Sequence, residues 1–360
     1  MKLAINLVLS LGMLALCLWL VWPGATERHD LGLAFARLEW SSFGPYLAAY
    51  LGLQVIVHLC RSLRWNNLLA PLGVRVPNGP LLAISSVGFM MILALPARLG
   101  EFVRPSLLRR RGVSASAALG TVAVERIVDG LLISLLVFVS FFALRGPDAP
   151  GWMMPTAYTA LGVFSAALVF LLFAMWRPEK TVRFCLNVSL LPRFLPRVAT
   201  IIELRVLDMI RGFGALKHGK QLSIFLVWSL VYWTANGLGV WLLARAFGLD
   251  LSLTGGFAVM GLVGVGISLP NSPGLVGQFQ WFTLLGLSLY LPGVMDKTTD
   301  MHAQALAYAI TQHLLQVSWY VGMGLLGILT PWVSWADLRR KKVAPEEAGG
   351  DHASDAPAPG

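Results

Sequence analysis

The chain has 360 residues, 56% of them hydrophobic and only 13% charged, and a formal net charge of +10. Soluble domains carry about 25% charged residues, so a mean hydropathy of +0.69 excludes an ordinary water-soluble globule. The cationic surplus does not point to nucleic acid, because Lys and Arg fall between apolar windows, where they act first as topology signals and second as lipid-headgroup contacts. An all-α polytopic membrane protein is expected.

The N-terminal run from Leu3 to Trp22 is longer than the 7–15-residue core of a secretory leader, so it reads as an uncleaved first span. Further apolar windows lie at 43–60, 80–96, 115–144, 155–176, 221–247, 252–291 (interrupted) and 303–335. Crossing a hydrocarbon core of about 30 Å takes ~20 residues. Window 80–96 is short, ends on Pro96 and is flanked by arginines on both sides. As a span it would place those arginines on opposite faces of the membrane, against the positive-inside rule. A re-entrant hairpin near 80–112, and a second near 252–291 broken between Pro270 and Gly274, remove the conflict. Six spans and two re-entrant hairpins then put both termini in the cytoplasm. The cytoplasmic side holds 22 of the 28 Lys and Arg, and four (Arg28, Arg37, Arg145, Lys297) lie outside.

The organisation expected is an N-terminal span and external loop (1–42), a first repeat (43–144), a connecting span and basic cytoplasmic loop (145–220), a second repeat (221–335) and a basic stop with a disordered tail (336–360). In the basic loop, apolar residues recur at helical spacing between cations. That pattern fits either an amphipathic helix on the anionic leaflet or a connector packed on its own helices. The scattered Cys17, Cys60 and Cys185 read as buried small hydrophobes.

The repeat appears when the sequence is shifted by 174 residues. Leu95-Pro96 falls on Leu269-Pro270 and Gly100 on Gly274, and GEF at 100–102 matches GQF at 277–279 after three extra residues. On the next helix Glu125, Arg126 and Asp129 correspond to Gln312, His313 and Gln316 at the same spacing. Under this topology the two copies have opposite orientations. Inverted repeats broken by Gly and Pro at matching positions place a substrate site at the midplane between them.

Candidate site residues follow from cost. An ionisable side chain at the bilayer centre costs roughly 2.5–3.5 kcal/mol, so it faces the bundle interior and is paired. Glu125 and Asp129 share a helical face and need cations, which Arg126 with Arg98 or Arg104 would supply. Arg98 and Arg104 flank Glu101 on the returning arm, and a guanidinium fork matches phosphate oxygens. The second copy offers the uncharged Asn271, Gln278 and His313. A salt-bridge cluster that only ties helix to hairpin accounts for the same charges. No Walker loop, zinc motif, nucleophile elbow or CxxC pair is present, so neither enzymatic activity nor a cofactor or metal is expected.

The stretch LALPARLGEFVRPSLLRRRGVSASAALGTVAVERIVDGLLI, followed far downstream by ISLPNSPGLVGQF, resembles the flippase-like lysylphosphatidylglycerol synthase transmembrane-domain family, as does RSLRWNNLLAPLGV at 61–74. The resemblance spans roughly residues 5–335. It implies a bacterial inner-membrane protein that moves lipids between leaflets. The partner would be a membrane phospholipid or a polyprenyl-phosphate-type lipid. Only residues 336–360 follow the last expected span, so the soluble lysine transferase of the synthase itself is not expected. The alternative reading, of a different class, is an accessory or scaffold subunit for an envelope-lipid synthase.

Overall fold

The computed structural model describes residues 24–143, 151, 153–189, 191–194, 196–268 and 272–333, with isolated positions 12, 15–17, 19, 21 and 22 before them. Asn271, the side chain of Arg98, most of the expected first span and the expected tail lie outside the described residues. The described residues fold into helices, most of them long and apolar. These are α1 (Ala25–Ala36), α2 (Trp40–Leu63), α3 (Asn78–Ala94), α4 (Val103–Leu108), α5 (Ala115–Ala143) and α6 (Met153–Trp176). The second half adds α7 (Pro178–Val188), α8 (Pro196–Arg211), α9 (Gly219–Ala246), α10 (Leu253–Ser268), α11 (Gln278–Ser288) and α12 (Asp300–Leu329).

By length and hydropathy, Trp40–Leu72, Met154–Trp176 and Gly219–Ala246 are able to cross a membrane. Helices α5 and α12 have 29 and 30 residues, long enough to cross, but interrupt their apolar surface with the polar triplets. Around α6 the residues Tyr158, Val163, Phe170, Phe173 and Trp176 are exposed at 50–70%. So much contiguous apolar surface is stable only against lipid. The protein is a multi-pass membrane protein.

The chain folds back on itself as a helical hairpin over 78–108 and again over 253–288. Helix α3 stops because Leu95 precedes a proline, which disfavours the helical region, and Leu95 adopts φ −99°, ψ 135°. The chain turns back through a 3-10 segment, Pro96–Phe102, into α4. Returning, it presses Gly100 onto the Met91–Ile92 backbone and the Arg104 side chain onto Gly88, approaches with no room for a Cβ. The second hairpin joins α10 to α11. Its tip carries two consecutive left-handed residues, Gly274 (φ 63°) and Leu275 (φ 62°), the latter a costly conformation for a branched side chain. Gly286 on α11 sits against Val259 of α10, where an added Cβ would lie 2.9 Å from its Cα.

Equivalent elements of the two copies pack against one another in opposite directions. Along α2 and α9, Phe43 meets Phe247 (5.6 Å between rings), Tyr50 lies beside Gly239, and Arg64 reaches Ser229 at 2.8 Å. The remaining contacts are reciprocal. The first hairpin's α3 runs antiparallel to α12, with Met90 at Gly324 and Val87 at Gly327. The second hairpin's α10 runs antiparallel to α5, with Val137 at Gly261 and Ile133 at Gly264.

The basic loop forms α7 and α8, and both readings of it have a structural counterpart. Val182, Leu186 and Ala199 are buried, and Met209 seats against Gly120 of α5. Phe184, Val188, Phe194, Ile201 and Leu204 remain exposed at 60–72%. One cysteine departs from expectation: Cys17 and Cys60 are buried, but Cys185, on the outward face of α7, is exposed.

Candidate functional site

The apolar core falls into several clusters, two of them large. One cluster gathers Trp65, Leu68, Leu81, Val122, Phe213 and Phe225, and the other gathers Phe43, Val240, Phe247, Phe279, Leu287 and Tyr308. Against the second cluster lies a cavity of about 380 Å³ whose wall draws on both repeats and both hairpins. Its polar lining includes Arg61, Glu101, Arg126, Asp129, Gln312 and Gln316. Its apolar lining includes Phe89, Phe164, Trp233, Met260, Leu275 and Phe279.

Behind the wall is a sealed ion network. Arg64, fully buried at the end of α2, donates to both carboxylate oxygens of Asp129 (2.8 and 2.6 Å), to Glu125 (3.1 Å) and to Ser229 (2.8 Å). Arg104, also fully buried, pairs with Glu125 at 3.2 Å, its guanidinium 4.1 Å from the ring centre of Trp65. Two cations thus meet two carboxylates. Breaking such a buried pair costs about 3–5 kcal/mol, because one charge is left without a partner. Asp129 also accepts from Trp233 Nε1 at 3.1 Å, and it is the member of the network that lines the cavity.

Arg126 does not serve Glu125 and Asp129. Consecutive residues on a helix point about 100° apart. Arg126 therefore turns to the cavity and pairs with Glu101 of the first hairpin at 3.5 Å. Its Nη2 is buried without a hydrogen-bond partner. Across the cavity, Arg61 donates to Tyr320 Oη at 3.0 Å and lies 3.9 Å above the Phe89 ring. Gln312 is 6% exposed, and its Oε1 is likewise buried without a partner.

The second hairpin contributes amides. Gln278 is fully buried and zips its two arms together, accepting from Ser272 N (3.1 Å) and donating to Gly266 O (2.9 Å). That carbonyl lies in the last turn of α10, where no helical partner remains. His313 Nε2 contacts Gly274 O at 2.9 Å and its Nδ1 contacts Gln280 Nε2 at 2.8 Å, while Gln280 Oε1 accepts from Gly277 N. The carbonyl needs a donor and the amide nitrogen an acceptor, which selects the neutral Nε2–H tautomer. The ring stacks on Phe279 at 5.0 Å. Both ring nitrogens therefore hold the hairpin tip.

Of the expected site residues, Glu101, Arg126 and Asp129 come together in the cavity. Arg104, Glu125, Gln278 and His313 lie in its supporting shell. Two arginines escaped the sequence reading, which assigned Arg61 and Arg64 to a cytoplasmic loop. The chain stays helical through Leu63 and again over Trp65–Leu69. Positions 61, 64 and 68 follow the i, i+3, i+7 spacing of one helical face, the signal that would have placed both arginines inside.

A family model described as the lysylphosphatidylglycerol synthase TM region matches residues 4–329. Among curated proteins, the chain is 25% identical over 298 residues to a protein of Haloferax volcanii named glycosyltransferase AglD. The match covers 75% of this chain and 46% of that protein, so the shared region is less than half of the relative's length. No solved structure matches.

Proposed function

The chain belongs to the family of lysylphosphatidylglycerol synthase transmembrane regions, and on that premise we propose that it is a lipid translocator without enzymatic activity of its own. In this reading a phosphate-bearing headgroup enters the inter-repeat cavity while its tails stay in the bilayer. The hairpins re-enter a bacterial inner membrane from opposite faces, beside six full spans and with both termini cytoplasmic. The observation that carries the reading is the cavity itself. It sets Arg61, Glu101, Arg126 and Asp129 in an otherwise largely apolar wall to which both hairpins contribute, in a chain whose helix α6 leaves apolar side chains exposed. Its size suits a headgroup and not a pair of acyl chains.

A second reading, an accessory subunit of an envelope-lipid synthase, is favoured by one fact. The glycosyltransferase-named relative carries further sequence beyond the stretch it shares with this chain. In that reading the shared stretch is the membrane module beside which a lipid-modifying activity works. Reconstitution into liposomes with fluorescent lipids of several headgroups separates the two readings. Translocation predicts headgroup-dependent loss of inner-leaflet protection from a membrane-impermeant quencher, reduced by Arg126→Ala. Protection equal to that of empty liposomes for every headgroup would overturn it.

A further inference from the structure

Helices α7 and α8 present two faces. On the inward side, Val182, Leu186 and Ala199 are buried, and Gly120 of α5 meets Gly212 at the end of α8 with no room for a Cβ on either. Ser114 caps α5 by accepting from Ala117 N–H at 3.0 Å, and it donates its own proton to Asp208 of α8. Phe213 completes the joint, buried in the cluster that holds Trp65. On the outward side, Phe184 and Val188 of α7 lie four residues apart, and Ile201 and Leu204 of α8 three apart, so each pair shares a face, and all four stay exposed. Exposed cations stand among them: Arg197 adjoins Val198, and Arg205 adjoins Leu204. Over 177–220 there are nine Lys and Arg against three Asp and Glu. Two of those three carboxylates already pair within the loop, Glu203 with Arg183 and Asp208 with Arg211.

We propose that α7 and α8 form an interfacial foot, fastened to α5 and resting on an anionic lipid surface. Its outward apolar side chains enter the boundary between headgroups and acyl chains, and its arginines meet the lipid phosphates. Continuity favours lipid as the occupant. Helix α6 carries its exposed apolar surface as far as Trp176, its last residue, and α7 starts two residues later with Phe184 and Val188 exposed in turn. Tryptophan is the residue expected where a span leaves the hydrocarbon, and Arg177 stands 4.9 Å from its ring centre. Composition favours lipid as well. The core of a protein interface is depleted of charge, whereas a membrane-surface helix mixes large apolar side chains with Lys and Arg. A second copy of this chain fits poorly, because a symmetric contact would set the cationic surplus against itself. The assignment needs only a membrane-spanning chain and is independent of what the cavity holds.

Cys185 supplies the probe, since it is exposed beside Phe184 while Cys17 and Cys60 are buried. The full chain, spin-labelled at Cys185 and held as one copy per nanodisc, is read by electron paramagnetic resonance. Collisions with oxygen, which concentrates in the bilayer, are compared with collisions with a water-soluble nickel chelate. In nanodiscs containing phosphatidylglycerol the label should favour oxygen, and in pure phosphatidylcholine it should move toward the chelate. Arg197→Gln combined with Arg205→Gln should lower the ratio of docked to lifted foot in the anionic discs by more than ten-fold, at about five-fold for each cation removed from the surface. Ile201→Asp combined with Leu204→Asp should lift the foot in both lipids, and Arg28→Gln, on α1, should change nothing. Equal melting temperatures in a neutral detergent exclude misfolding of the variants. A label that favours the chelate in both lipids would overturn the foot and give its apolar face to a protein partner. Docking that is equal in the two lipids, or indifferent to Arg197 and Arg205, would overturn the anionic surface as its occupant.

Discussion

The two hairpins are built on one plan and held by different chemistry. The first is fastened by charge: Arg104 on its returning arm pairs with Glu125, and Glu101 pairs with Arg126, both on α5. The second is fastened by neutral amides and an imidazole: Gln278 spans its arms, and Gln280 with His313 of α12 holds its tip. In each copy the helix that follows the hairpin supplies the clasp, from positions the repeat relates. Pseudo-symmetry has kept the clasp's location and changed its electrostatics. The charged copy therefore brings a field to the cavity, while the neutral copy brings shape and uncharged polar groups such as Gln312 and Gln316.

This contrast ranks the substitutions that would break it. Arg64→Ala strands Glu125 and Asp129 without their shared cation, and a loss of about 3–5 kcal/mol is expected, read as a collapse of thermal stability in detergent. The amide clasp should be weaker. Gln278→Ala removes two neutral hydrogen bonds, from Ser272 N–H and to Gly266 C=O, each worth about 0.5–1.5 kcal/mol, and should lower the melting temperature less than Arg64→Ala does. Equal losses would mean that the buried charge network on α5 holds no more strongly than the neutral amides.

Two tighter tests concern packing. Gly100→Ala drives a methyl into the Met91–Ile92 backbone, and Gly286→Ala meets Val259 at 2.9 Å, at the edge of tolerance. Overpacking of this kind costs about 1–3 kcal/mol, so the first should lie near the top of that range and the second near the bottom, as measured by chemical denaturation of paired variants. The smallest effect belongs to Trp233→Phe. It removes one of several donors to Asp129, and a change of about 1 kcal/mol is expected with the fold unaltered.

Much of this arrangement was legible in the sequence because it rests on backbone rules. Leu95-Pro96 ends α3, and the recurrence of that pair after 174 residues pointed to a second break in the chain. The cost of intramembrane charge marked Glu125 and Asp129 as interior. Pairing was less legible, since it depends on azimuth and on which distant helix arrives. Arg126 is next to Glu125 in sequence yet serves Glu101, and Arg64 reaches Asp129 across 65 positions. Arg61 and Arg64 were hidden by a sound rule applied one turn too early, for cations at the end of an apolar window usually mark its exit into water. Here the helix carries them inward, and Trp65, fully buried just beyond, shows that the window had not ended.

The central claim is that the space between the two hairpins is a place for lipid. Phe89 on the first hairpin and Phe279 on the second line that space, and each is only 2% exposed. A photoreactive benzoylphenylalanine at either position reaches lipid only through the cavity, whereas the same group at Phe173, half exposed on α6, reports the surrounding bilayer. Irradiation in native membranes followed by mass analysis should give phospholipid adducts at Phe89 and Phe279 as well as at Phe173. Adducts at Phe173 with none at either cavity position would contradict the account and leave the charged chamber a structural core.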